Sequence, residues 1–205
     1  MTIGEDLRNI YLPSRCVICN KYPKPLCDDC LSKLPITARQ VIRADLVGNA
    51  VSVYRDDIAT CINAFKERGQ RGLAKTFANL IADNLPRPEA TAIAAAPSGS
   101  NRGFVPAEEI GKAIGRIWGL PLVRLRIRPG GNDQTELTRR QRIENMTGRI
   151  WSPTPMIGER VLLVDDVITT GGTMREMARA VEAAGGVVVG FITVAETLPK
   201  TQTKF

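Results

Sequence analysis

Residues 161–173, Val-Leu-Leu-Val-Asp-Asp-Val-Ile-Thr-Thr-Gly-Gly-Thr, carry two adjacent carboxylates, three hydroxyls and two glycines behind an aliphatic run. The run predicts a buried parallel strand. Asp165 and Asp166 fall at its C-terminal end, the edge at which open α/β sheets bind ligands. Thr169, Thr170 and Thr173 supply hydroxyl donors, and Gly171 and Gly172 let backbone amides approach a phosphate closely. The helical pattern of residues 174–184 then presents an N-terminus that favours an anion. A phosphate joined to a polyhydroxylated sugar satisfies both halves of the segment. A plain strand-turn-helix with acids at its solvated end is the alternative.

A second constellation lies at the front. Cys16-Val-Ile-Cys19 and Cys27-Asp-Asp-Cys30 are two CxxC pairs separated by seven residues. Each pair presents two thiolates from one tight turn, and together they complete a tetrahedral four-sulfur site. Zn²⁺ is the expected occupant, in a structural role because no coordination position stays open. An iron centre with four thiolates and a set of free or redox-active cysteines are the alternatives. Cys61 stands alone and reads as a small core residue. Pro13, Pro23, Pro25 and Pro35 punctuate a region too short for a large core of its own, which a metal would replace.

The 205 residues contain no histidine. That excludes Ser-His-Asp and Cys-His catalysis and any His-ligated metal. Acid-base work falls to Asp, Glu, Lys, Tyr or the substrate. The net charge of +7 suits a phosphate-rich ligand or nucleic acid. Residues 101–150 hold ten Lys/Arg against five Asp/Glu, with Arg124, Arg126 and Arg128 alternating and Arg139, Arg140 and Arg142 clustered. A solvated basic face explains this as readily as a functional one. No apolar stretch approaches the roughly 18–20 residues that span a bilayer, and no signal-peptide core is read at the start. The expectation is a cytoplasmic protein with no membrane partner.

The elements that must position these groups alternate between strand and helix. Strands are predicted at 49–54, 92–96, 122–127, 161–164 and 187–194. Helices are predicted at 57–67, 73–85, 106–118 and 174–184. This order implies a mostly parallel sheet with right-handed crossovers.

The 161–173 segment resembles, at every position, the phosphoribosyl pyrophosphate (PRPP) signature of type I phosphoribosyltransferases. That resemblance implies that Asp165 and Asp166 hold the ribose hydroxyls and help organise Mg²⁺. It implies that Thr169, Thr170, Gly171, Gly172 and Thr173 hold the 5-phosphate. More narrowly, the chain resembles ComF-type proteins along nearly its whole length. Four blocks carry this: the front CxxC pairs, Phe65-Lys-Glu-Arg-Gly69, Asn101-Arg-Gly-Phe104 with Pro106-Ala-Glu-Glu-Ile110, and residues 134–145. The implied architecture is an α/β type I phosphoribosyltransferase fold at 41–205, with a mostly parallel sheet flanked by helices, behind a small zinc-ribbon-like module at 1–40. The implied setting is DNA uptake in naturally competent bacteria.

PRPP transfer breaks the bond between the anomeric carbon and pyrophosphate, so leaving charge must be neutralised and the ribose held still. Mg²⁺ suits the first task. The loop 97–100 lacks bulky side chains, and its Ser98 and Gly99 backbone is the expected pyrophosphate seat, with Arg102 and Lys66 as candidate cations. Surface solvation is the alternative for each. Pro129-Gly-Gly131 with Gln134, Arg139, Arg140 and Arg142 reads as a hood over the site or as a surface hairpin. Hypoxanthine-guanine members carry an acid where Thr169 stands, which disfavours that form of purine salvage. Two functions remain in view. One is PRPP-dependent transfer to an unknown acceptor, a nucleobase or an amine. The other is a non-catalytic PRPP- or nucleotide-sensing accessory protein that binds DNA or a DNA-processing partner. Self-association is left open.

Overall fold

The computed structural model describes residues 14–98, 104–128 and 148–198. Along the chain these form α1 (Asp28–Leu31), β1 (Arg39–Arg43), β2 (Leu46–Val53), α2 (Asp56–Glu67), α3 (Leu73–Asn84), β3 (Ala92–Ala95), α4 (Pro106–Trp118), β4 (Leu122–Val123), β5 (Arg126–Ile127), β6 (Ile150–Trp151), β7 (Arg160–Ile168), α5 (Gly172–Ala183) and β8 (Val187–Glu196). The main sheet has six strands in the order β1-β2-β8-β7-β3-β4. All its pairings are parallel except the β1–β2 hairpin.

Aliphatic runs build the central strands because helices cover both faces and leave no wet side. Period-2 alternation then divides each strand between two cores. Leu162 and Val164 of β7 join Ile58, Ile62 and Phe65 of α2, Phe77 and Ile81 of α3, and Ile110 and Ile114 of α4. Val161 and Leu163 join Met174, Met177 and Val181 of α5 on the opposite face. Phe65 and Phe77 meet edge to face, with ring centroids 5.5 Å apart, a pairing worth about 0.5–1.5 kcal/mol beyond area burial. Cys61 is buried in the first core, as expected.

The front segment rests on that same core. Cys16, Leu26 and Leu34 pack with Val51, Ile58 and Phe65. Thr37 N donates to Val51 O at 3.0 Å, and the Ser52 hydroxyl donates to Pro35 O.

Several expected elements shift. The strand predicted at 122–127 is two pieces. β4 stays with β3 through Ile93–Leu122 and Ala94–Val123, whereas β5 leaves to pair antiparallel with β6. Between them Leu125 turns into the second core, which ends the alternation. β2 begins at Leu46 rather than 49, because it is the second arm of an unexpected hairpin. Its turn, Ala44-Asp45, takes positive φ at both residues, 53° and 64°, without the glycine that usually marks such turns. Ile150, in β6, has its N–H bound by Glu176 Oε1 at 3.1 Å and its C=O bound by Arg179 Nη2 at 2.6 Å. The ion pair on α5 thus supplies the partner that an edge strand lacks. Among the described residues no helix is long and apolar enough to cross a membrane.

Candidate functional site

β7 carries both carboxylates into the centre of the sheet. It continues to Ile168, so Asp165 and Asp166 lie within the strand and not at its end. Pairing with β8 through Val167–Ala195 and Ile168–Glu196 sustains the last turns of the ladder, which the apolar run alone did not reveal. Successive residues face opposite sides, and the two acids meet different surroundings. Asp166 is 4% exposed and takes an ion pair from Lys66 Nζ of α2 at 2.8 Å. Asp165 is half-buried and stands in register with Thr193 of β8, which is fully buried. Burial, and then the charge of Asp166, hold the Asp165 carboxyl well above the usual carboxylate range, against the opposing pull of the Asp166 backbone N–H and of Lys66.

Beyond Ile168 the chain turns into α5. Thr169 is exposed, Thr170, Gly172 and Thr173 are half-buried, and Gly171 is buried. Gly171 has φ 84° and caps the helix without any side-chain bond. Its left-handed backbone costs little only because it lacks a Cβ. α5 begins at Gly172, two residues before the expected start, and the amides of its first turn have no intrahelical acceptor. They form a ready seat for an anion.

β3 brings the next loop alongside. Ala95 is in register with Val164, and Ala96 N donates to Val164 O at 2.9 Å. Ser98 therefore leaves the sheet one strand from Asp165. Gly99, Arg102 and the arginines at 139, 140 and 142 lie outside the described residues. Lys66 is present at the site but is engaged by Asp166, so its first effect is on the carboxylate pair. Three charged residues at this end were not anticipated. Arg39 and Arg43 of β1 both bind the buried Glu196 at the end of β8. Their signal was the Arg-x-x-x-Arg spacing, which places both on one face of a strand, but only if the strand itself is foreseen.

The four front cysteines do converge. Their sulfurs all lie within 4.8 Å of one another, and Cys19 and Cys27 Sγ are 3.5 Å apart. Sulfurs around one tetrahedral Zn²⁺ would stand about 3.8 Å apart, so the donor set fits such an ion. Burial opposes ionisation of Cys16, yet backbone donors at Cys19, Cys27 and Ile18 outweigh it and bring that thiol down to about 6. Burial and the neighbouring sulfurs push Cys30 up to about 12. Four thiolates cannot crowd together unless a cation compensates them.

Residues 99–204, just over half of the chain, match the phosphoribosyl transferase domain family. The chain belongs to that family. Curated relatives sharpen the likeness. An adenine phosphoribosyltransferase of Rhodococcus jostii is 37% identical over 112 residues, 53% of this chain and 59% of that protein. An orotate phosphoribosyltransferase of Pelotomaculum thermopropionicum is 64% identical over 33 residues, 16% of this chain and 17% of its own length. The match thus spans less than two thirds of either relative. Among solved structures, the adenine phosphoribosyltransferase of Rhodothermus marinus is 22% identical, with coverage of 81% and 85% and a TM-score of 0.45.

Proposed function

We propose that this chain transfers the phosphoribosyl group of PRPP to a nucleobase or amine acceptor, releasing pyrophosphate. The observation that carries the reading is that Asp165 and Asp166 of β7, the Thr169–Thr173 loop that follows it and Ser98 after the adjacent β3 all lie toward the C-terminal side of two neighbouring parallel strands. In this reading Asp165 and Asp166 hold the ribose hydroxyls, and Thr169, Thr170, Gly171, Gly172 and Thr173 hold the 5-phosphate. Ser98, Gly99 and Arg102 receive the pyrophosphate. Lys66 lowers the repulsion between the two acids, which lets Asp165 serve as a polar contact despite its burial. The oxygen donors of Asp165 and Asp166 suit Mg²⁺, which would neutralise charge on the leaving group when bound. As the acceptor nitrogen bonds the anomeric carbon, the carbon–oxygen bond to pyrophosphate breaks and the acceptor proton passes to solvent or a base. Fixing the ribose at both ends confines the motion to that carbon.

The finer reading is a ComF-type protein acting in the cytoplasm in DNA uptake. It has a zinc-ribbon-like module at 1–40 and a phosphoribosyltransferase domain at 41–205. The coexistence of a closed four-cysteine cluster with the 161–173 signature supports it. In this reading Zn²⁺ is structural, and Cys16, Cys19, Cys27 and Cys30 are its ligands.

Calorimetry with PRPP and Mg²⁺, followed by pyrophosphate release across a panel of nucleobases, tests the activity. PRPP binding with no release for any acceptor would favour the accessory, sensing reading. That reading draws support from the net charge of +7, and salt-dependent DNA binding would strengthen it.

A further inference from the structure

β1 ends on an arginine that reaches the Thr169–Thr173 loop. Arg43 donates through Nε to Thr169 O at 3.2 Å. Its Nη2 donates to Glu196 Oε2 at 2.7 Å and to Thr197 O at 3.3 Å, and its Nη1 to Ile42 O at 2.9 Å. The same hairpin closes against the loop backbone. A Cβ at Gly171 would lie 2.9 Å from Arg43 Cβ and 3.0 Å from Ala44 Cβ. Glu196, only 4% exposed, takes a second bond from Arg39 Nε. Arg39 Nη2 is buried and has no hydrogen-bond partner among the described residues.

Two consequences follow. In a trans peptide the C=O and the next N–H point in opposite directions. With Thr169 C=O accepting from Arg43, the Thr170 N–H points away from that guanidinium. Two guanidiniums also face one carboxylate, which leaves a surplus positive charge under the loop. Arg43 is 20% exposed and Arg39 37%, so solvent screens part of this charge, and the remainder offers an attractive potential to an anion seated on the loop.

We propose that Arg43 is a positioning residue for the sugar-phosphate end of the ligand, with Arg39 and Glu196 fixing its guanidinium. It orients the Thr169-Thr170 peptide for the 5-phosphate and supplies positive potential without touching the ligand. This rests on the PRPP reading of the loop. It predicts an effect confined to one end of PRPP, since the pyrophosphate seat belongs to the loop after β3.

The test compares Arg43→Met and Arg43→Lys with the full-length wild-type chain. Ribose 5-phosphate, magnesium pyrophosphate and PRPP are titrated separately by calorimetry, with ³¹P NMR of the bound 5-phosphate. Arg43→Met should weaken ribose 5-phosphate and PRPP by about tenfold or more, the scale of a charged hydrogen bond. Pyrophosphate affinity should stay within about twofold of wild type. Arg43→Lys keeps the charge but loses the fork, so it should recover part of the affinity and still shift the ³¹P resonance. If Arg43→Met fails to fold, Arg43→Lys carries the same comparison at near wild-type Tm. Equal loss for both ligands, or unchanged ribose 5-phosphate affinity in folded variants, would overturn the proposal and leave Arg43 a clamp for the hairpin. A wild-type chain that binds neither ribose 5-phosphate nor PRPP would overturn the PRPP reading, and the proposal with it.

Discussion

The four-cysteine cluster and the Asp165–Thr173 segment are both short motifs, but they are completed in different ways. The cysteines bring all their donors from within fifteen residues, and the four sulfurs lie within 4.8 Å of one another. The 165–173 segment has its ligand-facing groups in one stretch too, yet its charge state and its shape come from elsewhere. Lys66 reaches Asp166 from α2, and Arg43 grips Thr169 from β1. A closed metal site takes its whole ligand set from neighbouring turns, because four donors fill the coordination of the ion. A site for an exchanging anion must stay open, so the fold has to supply its balancing charge and its support.

The sharpest way to break this comparison is at the metal. Cys19→Ser or Cys27→Ser should abolish bound metal, read by elemental analysis of reduced protein. Structural zinc contributes on the order of 10 kcal/mol in small modules, comparable to the whole stability of a domain. Because Cys16, Leu26 and Leu34 lie in the main core, the loss should spread beyond residues 14–38 and lower Tm by about 10 °C or more. Metal-free protein with a wild-type Tm would contradict both the site and its structural role.

Lys66→Met should come next in size. It leaves the buried Asp166 carboxylate without its cation, at a cost of about 2–4 kcal/mol once solvent access of the lysine is allowed for. Calorimetric unfolding measures this directly. Asp166→Asn should cost less, because the abandoned Lys66 is 30% exposed and can turn to water. Equal losses of stability in the two variants would contradict this asymmetry of burial.

Thr173→Ala should act on binding and spare the fold. Losing one hydrogen bond to a charged phosphate costs about 1.5–3 kcal/mol of PRPP affinity, at nearly unchanged Tm. Calorimetric titration that returned wild-type affinity would remove Thr173 from the 5-phosphate seat.

The smallest effect carries an unusual sign. The Asp165 carboxyl is held well above its ordinary range by burial and by Asp166. A group raised in the folded state favours folding most when protonated, and that contribution disappears as pH climbs through the folded value. Asp165→Asn mimics the protonated form. It should therefore match wild type in Tm near pH 4 and exceed it at pH 8, while weakening PRPP binding. Equal Tm across the range would mean that the charge of Asp165 is well tolerated in the native state.

Much of this was legible in the residues. The helix at Pro106–Trp118 has the expected bounds, with proline in its first turn and Gly119 in left-handed backbone just past its end, since capping chemistry is local. The four-sulfur cluster was legible for the same reason. The β1–β2 hairpin was not, because Ala44-Asp45 turns with positive φ without glycine. With that strand unseen, Arg39 and Arg43 had no reason to be placed beside Glu196. The break in residues 122–127 was hidden as well, since the pairing of β5 with β6 joins residues more than twenty positions apart.

By itself the sequence determined the ligand-bearing types: the paired acids, the hydroxyls and glycines of the loop, and the four thiols. Their spacing fixes which backbone and side-chain groups reach one spot, and short-range geometry needs no more. Tertiary structure alone decided that Asp166 is the acid paired with Lys66 and Asp165 the one whose carboxyl burial pushes upward. It also decided that the loop rests on the cluster in which Arg39 and Arg43 of β1 bind Glu196 of β8. Both depend on which distant side chains share a low-dielectric space, where charge interactions are strongest and where sequence separation, 100 residues from Lys66 to Asp166 and 126 from Arg43 to Thr169, carries no information about distance.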